Sequence, residues 1–385
     1  MSDLNETPSS LRIQIGIFGK TNVGKSSLIN ALTNQDVSIV SDVKGTTTDP
    51  VFKSMEFGEL GPCLFMDTPG SYDDTSLSKK RQDKMVKIMR RTDIAVIVVN
   101  DESDLADEEP RIEWFDKRSV PVVIVQNKID LSDSLIKDAI HVSVKDNIGL
   151  LKLSQSLTDI GKKILQDVDK EITGELCSSK DVVMLVMPQD RSAPKGRLIL
   201  AQVQTIRELL DKHCIIVSVT PEEITDALDS LKEPPKLIIT DSQVFKTVDE
   251  LKPKDSVLTS FSVLLAGVKG DIDVFKAGAN AIDTLKDGAN ILISETCTHA
   301  PLEEDIGRVK IPNLIRKKKG IDINVTIASG WDFPEDLSSF DLIIQCGGCV
   351  TNRREIMSRI NDAKACNVPI TNYGVAIAKL NGINI

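Results

Sequence analysis

The sequence predicts an α/β fold distributed over more than one domain. The chain has 385 residues, which exceeds the size that one hydrophobic core usually supports. Apolar residues make up 41% and charged residues 27%, as in ordinary globular proteins, but aromatic residues make up only 4%. The cores must therefore be packed with Ile, Val and Leu. Apolar strand-like runs alternate with polar helical stretches, which is typical of doubly wound α/β domains.

The first domain is predicted to span residues 1–172. It contains apolar runs that we interpret as buried strands, because each is short and bounded by polar or turn residues. These runs are residues 13–18, 63–66, 94–99 and 122–126. A helix around residues 150–165 is expected to close the domain, and residues 173–180 are interpreted as a linker.

Two further α/β blocks are predicted at residues 173–255 and 256–385. The strands expected in the second block are residues 182–187, 214–219 and 237–240, and its helices are residues 198–210 and 222–231. The strands expected in the third block are residues 258–265, 291–294, 325–328 and 342–345. No internal repeat and no low-complexity tract interrupts this order.

The charge of the chain argues against nucleic acid as a partner. The formal net charge is −10 and the pI is about 5.0, so no basic footprint for nucleic acid is present. The basic run at residues 316–319 is interpreted as the end of a helix or a solvated turn.

Location and redox state follow from the same composition. Residues 1–10 are polar, and no apolar run reaches about 18 residues, so we expect a cytoplasmic protein without a membrane span. Because the cytosol keeps thiols reduced, the seven cysteines are not expected to form a disulfide framework. Clustered cysteines suggest a metal site instead.

A phosphate-binding loop is predicted at residues 19–26, which read Gly-Lys-Thr-Asn-Val-Gly-Lys-Ser between a predicted strand and a helix-compatible segment. Glycines let backbone N–H groups surround phosphate oxygens, and the helix N-terminus adds positive potential. Lys25 is expected to reach the β and γ phosphates, and Ser26 to ligate magnesium. The loop residues predicted to contact the nucleotide are Asn22, Val23, Gly24, Lys25, Ser26 and Ser27.

Three further motifs, in order along the chain, indicate that the nucleotide is GTP. Asp67 follows a strand and opens Asp-Thr-Pro-Gly, which places a carboxylate near the magnesium hydration shell and the amide of Gly70 near the γ-phosphate. Asp130 can accept hydrogen bonds from N1–H and the exocyclic amine of guanine, which adenine does not offer. The other residues expected around the base are Asn127, Lys128, Ser143, Val144 and Lys145.

Residues 45–49, which read Gly-Thr-Thr-Thr-Asp, and Asn22 make this domain similar to the potassium-type TrmE/Era-like branch of the translation-factor GTPases. The resemblance implies that Thr46 and Thr47 belong to the nucleotide site and that Thr47 is the second magnesium ligand. The positions that match the potassium shell are Asn22, Ser41, Val43 and Thr46. The alternative role for Asn22 is a hydrogen bond within the loop.

Hydrolysis is expected to be slow and stimulated by potassium. Ser71 occupies the position at which Ras-like enzymes carry the glutamine that orients water. A potassium ion between the phosphates would neutralise developing charge in place of an arginine finger. Thr48 stands where many of these relatives have arginine, so the mode of switch closure stays open.

A cysteine and histidine constellation is predicted at two strand ends of the third block. Cys-Thr-His follows the strand at 291–294, and Cys-Gly-Gly-Cys follows the strand at 342–345, with 46 residues between the two sets. The carboxyl ends of parallel strands meet at one edge of a sheet, so the sets can converge. The predicted ligands are Cys297, His299, Cys346 and Cys349. Residue type alone allows either zinc or an iron-sulfur cluster, and whether His299 ligates stays open.

The other four cysteines are interpreted as ordinary thiols of the interior. They occur singly in apolar or helical surroundings, without the spacing of a ligand set. They are Cys63, Cys177, Cys214 and Cys366.

This constellation behind a GTPase domain resembles the HydF family of FeFe-hydrogenase maturation GTPases over nearly the whole chain. The resemblance implies a dimerisation domain in the second block and a 4Fe-4S cluster in the third. It further implies a scaffold that carries the two-iron subcluster and delivers it to apo FeFe-hydrogenase. The partners that it implies are two radical-SAM maturases and a second copy of the chain.

Two other functions compete with this interpretation. The first is a ribosome- or tRNA-associated GTPase with a C-terminal zinc module, against which the acidic composition argues. The second is a thiol-exchange enzyme that uses Cys346 and Cys349, which would need a depressed thiol pKa and no bound metal.

Overall fold

The computed structural model describes residues 7–34, 39–42, 51–68, 78–168, 171–189, 198–296 and 305–383. The chain divides into two compact units, Met1–Asp169 and Lys170–Ile385. Both units are layered α/β structures, so the predicted fold class is confirmed. None of the helices in these described ranges is long and apolar enough to span a bilayer.

The first unit is built on one mixed sheet, which has seven strands in the described residues. Its strands are β1 Ile13–Phe18, β2 Ile39–Asp42, β3 Val51–Glu56, β4 Pro62–Asp67, β5 Ile94–Val99, β6 Val122–Gln126 and β7 Ile140–His141. Its helices are α1 Lys25–Asn34, α2 Ser78–Arg91, α3 Glu102–Asp116 and α4 Leu150–Val168. The strand order is β2-β3-β4-β1-β5-β6-β7, with β3 antiparallel to both β2 and β4 and the other pairs parallel.

The parallel part of this sheet confirms the strands that the sequence predicted. Every side chain of β1 and β5 is buried, as expected for strands covered on both faces. The carboxyl ends of β1, β4 and β6 lie at one edge, and the phosphate and guanine motifs follow them directly. The topology therefore places all these motifs on the same side of the sheet.

The second unit contains two parallel sheets, each of four strands in the described residues. The strands are β8 Val182–Val186, β9 Ile215–Val219, β10 Leu237–Thr240, β11 Val257–Ser260, β12 Ala289–Ser294, β13 Ile323–Ala328, β14 Leu342–Gln345 and β15 Ile370–Asn372. The helices are α5 Leu200–Asp211, α6 Ile224–Ser230, α7 Phe245–Leu251, α8 Phe261–Lys269, α9 Ile272–Ala279, α10 Ile311–Lys319, α11 Arg353–Ala365 and α12 Tyr373–Asn381. The strand orders are β11-β10-β8-β9 and β13-β12-β14-β15.

Helix α8 joins the cores of the two sheets. It packs against α5 on one side and against α9, α11 and α12 on the other. Phe261 belongs to a core around β8 and β10, and Ala266 belongs to a core that contains Met184 of β8 as well as Leu292 of β12 and Ile343 of β14. The end of α8 is therefore fixed by packing next to the third sheet.

The predicted strand at residues 258–265 is wrong beyond Ser260. The hydroxyl of Ser260 accepts a hydrogen bond from the N–H of Val263 and caps α8, so the chain turns from strand to helix at this point. A short apolar run does not distinguish a buried strand from a buried helix. The strand that remains, β11, pairs with β10 and so belongs to the second sheet and not to the third.

The segment at 173–180 is packed and does not behave as a free linker. The carboxylate of Glu208 accepts hydrogen bonds from the N–H and hydroxyl of Thr173, at 2.8 and 2.7 Å. The ammonium of Lys212 donates to the carbonyl of Gly174 at 2.6 Å. The prediction for the basic run at 316–319 is confirmed, since these residues form the last turn of α10.

Candidate nucleotide and cysteine sites

The loop after β1 has the backbone geometry of a phosphate-binding loop. Gly19, Asn22 and Gly24 have φ values of 139°, 66° and 97°, which are unfavourable for most side chains. A Cβ atom on Gly24 would lie 2.3 Å from the Nδ2 of Asn127. The loop can therefore curl in this way only with glycine at position 24.

Lys25 begins α1 and points back into the loop. Its ammonium donates to the carbonyls of Gly19 and Lys20 at 2.9 and 2.7 Å, and the side chain is buried. Burial lowers the pKa of Lys25 to about 8, although the carboxylate of Asp67 opposes the shift. The cation thus lies inside the loop, where the sequence motif predicts the phosphate groups.

An oxygen pair lies beside this cation at the start of α1. The hydroxyl of Ser26 donates to Oδ2 of Asp67 at 2.5 Å. In the described structure, Oδ1 of Asp67 is buried and has no hydrogen-bond partner. Burial also raises the pKa of Asp67. A divalent cation bound to hard oxygen ligands fits this arrangement, because it would compensate the buried carboxylate.

The end of β6 is tied to the phosphate-binding loop. Nδ2 of Asn127 donates to the carbonyl of Val23 at 2.9 Å, and the ammonium of Lys128 donates to the carbonyl of Asn22 at 2.6 Å. Lys128 has a φ of 55°, so the chain turns sharply after Asn127. The loop and the predicted guanine motif therefore form one connected structure.

The carboxylate of Asp130, which is predicted to recognise the base, is held by a serine from the next motif. Oγ of Ser143 lies 3.0 Å from Oδ1 of Asp130 and 2.8 Å from Oδ2 of Asp146. The N–H of Asp146 in turn donates to Oγ of Ser143. Val144 is half-buried against the core and Lys145 is exposed. The predicted guanine residues are thus brought together at one edge of the sheet.

Sequence reasoning missed the ion pairs of Lys20. Its ammonium lies 2.9 Å from a carboxylate oxygen of Asp104 and 2.5 Å from one of Asp107, both on α3, and these hydrogen bonds raise the pKa of Lys20. The two acids three residues apart on one helix face were the available signal. The pairs connect the loop to α3.

Several predicted residues lie outside the described residues. They are Val43, Thr46, Thr47, Gly70, Cys297 and His299. Ser41 lies in β2, but its side chain is not among those described. Of the predicted potassium shell, the structure therefore describes the side chain of Asn22, which is exposed.

The first cysteine of the Cys-Gly-Gly-Cys motif lies at the carboxyl end of β14. Ser294 of β12 is level with Gln345 of β14, and the N–H of Cys346 donates to the carbonyl of Ser294 at 2.9 Å. The N–H of Thr296 donates to Sγ of Cys346 at 3.2 Å, and its hydroxyl lies 3.1 Å from the same sulfur. The amide of Gln345 lies 3.6 Å from it. These donors would stabilise a thiolate.

The second cysteine follows a tight turn that lies over a buried lysine. Gly348 has a φ of 65°, which reverses the chain between the two cysteines. The ammonium of Lys269 donates to the carbonyls of Gly348, Cys349 and Thr351. Burial raises the pKa of the Cys349 thiol, as does the neighbouring Cys346, whereas the positive charge of Lys269 opposes this shift.

A buried polar network lies beneath the same strand ends, and sequence reasoning missed it. The guanidinium of Arg359 on α11 pairs with Glu355 at 2.9 Å. It also donates to Oγ of Ser294, to Oε1 of Gln345 and to the carbonyl of Gly330, at 2.8, 3.1 and 2.7 Å. The four-residue spacing of Glu355 and Arg359 was visible in the sequence, but their burial was not. The network fixes the strand ends from which the cysteine turn departs.

No group of three or more His, Cys, Asp or Glu residues in the described part of the chain is arranged to hold a metal ion. Cys346 and Cys349 are described, whereas the other two predicted ligands are not. Of the single cysteines, Cys63, Cys177 and Cys214 are buried and Cys366 is half-buried. The sulfurs of Cys177 and Cys214 lie 3.9 Å apart.

Three family models match the chain. Residues 14–128 match the 50S ribosome-binding GTPase family. Residues 172–270 match the hydrogen maturase F dimerization domain, and residues 273–384 match the hydrogen maturase F tetramerization domain.

Similar proteins and structures cover smaller parts of it. GTPase Der of Wolinella succinogenes is 40% identical over 142 residues, which are 36% of this chain and 30% of that protein. GTPase Der of Nitratiruptor sp. is 32% identical over 165 residues, which are 42% of this chain and 35% of that protein. The chain spans about a third of the length of these curated relatives. A solved structure of Era from Aquifex aeolicus is 17% identical and covers 54% of this chain and 92% of its own, with a TM-score of 0.32.

The order of the three matched models decides the family. A GTPase model matches residues 14–128, which include the phosphate-binding loop, and two models specific to hydrogen maturase F follow it between residues 172 and 384. The resemblance found in the sequence is therefore confirmed. The N-terminal domain is a GTPase domain, and the chain belongs to the hydrogen maturase F family.

Proposed function

We propose that this protein is a GTP-hydrolysing scaffold that binds a 4Fe-4S cluster and delivers the two-iron subcluster to FeFe-hydrogenase. The observation that carries the proposal is the presence, in one chain, of a GTPase domain and two hydrogen maturase F domains. The second of these domains holds Cys346 and Cys349 at one sheet edge, where the donors around the sulfur of Cys346 would stabilise a thiolate.

The nucleotide half of the proposal assigns a role to each motif. Lys25 contacts the β and γ phosphates, Ser26 and Thr47 bind magnesium, and Asp130 reads guanine. The buried oxygen of Asp67 supports a hydrated magnesium ion beside Ser26. Potassium is bound by Asn22, Ser41, Val43 and Thr46 and stimulates hydrolysis by offsetting charge between the phosphates. The proposed ligands that lie outside the described residues rest on the sequence resemblance alone.

The cluster half rests on the contact between Thr296 and Cys346. Thr296 donates to Sγ of Cys346 and directly precedes Cys297 in the chain. This connectivity along the chain supports Cys297 as a ligand of the same cluster. The ligand set proposed is Cys297, His299, Cys346 and Cys349. When bound, a cluster whose fourth iron exchanges its ligand supplies a coordination site for an incoming group.

The partners follow from the family. We propose apo FeFe-hydrogenase as the recipient and radical-SAM maturases as the source of the precursor, in the cytoplasm and without nucleic acid. The two C-terminal models are named for dimerization and tetramerization, which supports assembly with further copies of the chain.

Anaerobic reconstitution with iron and sulfide tests the cluster half. Iron and sulfide content, absorbance and EPR are measured for the wild type and for Cys297→Ala and Cys346→Ala. Cys366→Ala is the matched control, because this half-buried cysteine lies outside the proposed ligand set. A 4Fe-4S signal that is lost in the first two variants and kept in the control supports the proposal. One tightly held zinc ion and no cluster would instead favour the ribosome- or tRNA-associated GTPase.

GTP turnover tests the nucleotide half. We expect hydrolysis of GTP but not ATP, at a rate that rises when sodium is replaced by potassium. Asn22→Ala should remove the potassium effect while leaving GDP affinity largely unchanged, since magnesium and base contacts remain. Equal rates in the two salts would contradict the potassium assignment and leave the GTPase assignment intact.

A further inference from the structure

Lys269 is a buried cation at the cysteine turn that the proposed ligand set does not use. It is the last residue of α8, and only 6% of the residue is exposed. Its ammonium donates to the carbonyls of Gly348, Cys349 and Thr351 at 2.8, 3.0 and 2.8 Å. All three N–H groups of the side chain are thus directed at the backbone that carries the second cysteine.

No carboxylate in the described part of the chain pairs with this charge. The hydrogen bonds of Lys269 go to carbonyls, and the groups that favour its charged form are the sulfurs of Cys349 and Cys346. By contrast, the buried guanidinium of Arg359 is paired with Glu355. A buried charge without a counter-charge is costly, so the site is suited to an anion.

The position of Lys269 is fixed from both sides of the turn. The guanidinium of Arg353, at the start of α11, donates to the carbonyls of Val268 and Gly270 at 2.7 and 2.8 Å. The residues on either side of Lys269 are therefore bound to the segment that follows the turn, while Lys269 binds the turn itself. These reciprocal bonds hold the ammonium at a defined place against the cysteine turn, in contact with the carbonyl of Cys349.

We propose that Lys269 is a positioning residue of the cluster site, which holds the cysteine turn in its ligating shape and supplies the charge that offsets the anionic, thiolate-ligated cluster. This inference rests on the proposed function. One-electron reduction adds negative charge to the cluster, so a nearby fixed cation favours the reduced form. Loss of this cation should therefore lower the reduction potential of the cluster.

Three variants of the full-length protein separate charge from hydrogen bonding. Lys269→Met keeps the apolar stem and removes both, Lys269→Gln keeps N–H donors without charge, and Lys269→Arg keeps the charge. Lys276→Met is the matched control, because Lys276 is an exposed lysine on the next helix. Each protein is reconstituted with iron and sulfide, and its midpoint potential, EPR spectrum and iron content are measured. Circular dichroism and thermal unfolding establish that each variant is folded.

In Lys269→Met, we expect the equilibrium constant for one-electron reduction of the cluster to fall about tenfold. This change lowers the midpoint potential by about 59 mV. Lys269→Gln should have the iron content of the wild type but the lowered midpoint potential of Lys269→Met. Lys269→Arg should have the midpoint potential of the wild type. A wild type without any cluster would refute the proposed function. If the wild type binds a cluster, and the folded Lys269→Met and Lys269→Gln variants keep its iron content and midpoint potential, the role of Lys269 is refuted and the proposed function is not.

Discussion

The buried pair of Arg359 and Glu355 offers a quantitative test of how the cysteine-bearing sheet is held. Arg359→Met removes a guanidinium that donates to Glu355, Ser294, Gln345 and the carbonyl of Gly330. Methionine preserves much of the apolar stem, so the main change is electrostatic. We expect the variant to lower the free energy of unfolding of the second unit and to leave the first unit unchanged.

The magnitude follows from the burial of both partners. The side chains of Arg359 and Glu355 are 1% and 2% exposed, so solvent screens neither charge. Removing one partner of a buried pair costs about 3–5 kcal/mol, because the other charge is left uncompensated. The double variant Arg359→Met with Glu355→Leu has no orphan charge. It should therefore recover most of the loss.

Urea unfolding followed by fluorescence measures this difference. The two tryptophans lie in different units, Trp114 in α3 and Trp331 in the second unit, so Trp114→Phe leaves a reporter for the second unit. Arg207→Met is the matched control, since Arg207 and Asp211 form a pair of the same four-residue spacing that is 76% and 58% exposed. The control should show no resolvable change. A loss below about 1 kcal/mol in Arg359→Met, or a double variant no more stable than the single one, would refute the reasoning.

Three further predictions concern the nucleotide site. Asp130→Asn should shift the preference of the protein from GTP to xanthosine triphosphate, because asparagine offers an N–H to the carbonyl that replaces the exocyclic amine of guanine. Competition binding between the two nucleotides measures this preference. GTP affinity of the free protein should fall about tenfold per unit as the pH rises above about 8, because burial lowers the pKa of Lys25 to about 8 and phosphate binds the protonated form. Gly24→Ala should abolish nucleotide binding in calorimetry, because its Cβ would lie 2.3 Å from Nδ2 of Asn127 at a φ of 97°.

Each of these predictions has an internal control. Asp130→Asn should keep the affinity of the wild type for inorganic phosphate analogues, which would bind at Lys25 and not at the base site. If this affinity is lost as well, the variant is misfolded. Lys25→Arg stays charged, so between pH 7 and 9, where guanine keeps its N1 proton, its GTP affinity should not change; a parallel decline in both proteins would contradict the Lys25 assignment. Gly267→Ala lies in open space on α8 and should bind GTP normally.

Most strands could be read from the sequence because they are parallel and buried. A strand covered on both faces is a continuous apolar run, and residues 94–99 and 342–345 coincide with β5 and β14 for this reason. The run at 258–265 failed because α8 is buried between two cores and is apolar on all sides, as a buried strand would be. Edge strands such as β7 are too short to give a pattern.

The motifs that predict the nucleotide site are readable in the sequence, because each motif is local and follows its own strand. Phosphate and guanine recognition need particular residue types at fixed offsets from a strand end, and this constraint is written along the chain. The hydrogen bond from Lys128 to the carbonyl of Asn22 joins residues 106 positions apart, and no local sequence pattern predicts it. Its existence depends on the adjacency of β1, β5 and β6 in the sheet.

By itself, the sequence determined the two cysteines, the glycine turn between them and the strand that precedes them. Only the tertiary structure decided which charges surround that turn. Lys269 and Arg359 are ordinary residues of helices in the sequence, and nothing local distinguishes them from solvated lysines and arginines. Helix packing buries Lys269 without a carboxylate partner among the described residues, whereas it buries Arg359 together with Glu355. Burial and pairing are properties of contacts between distant segments, and they set the electrostatics of the site.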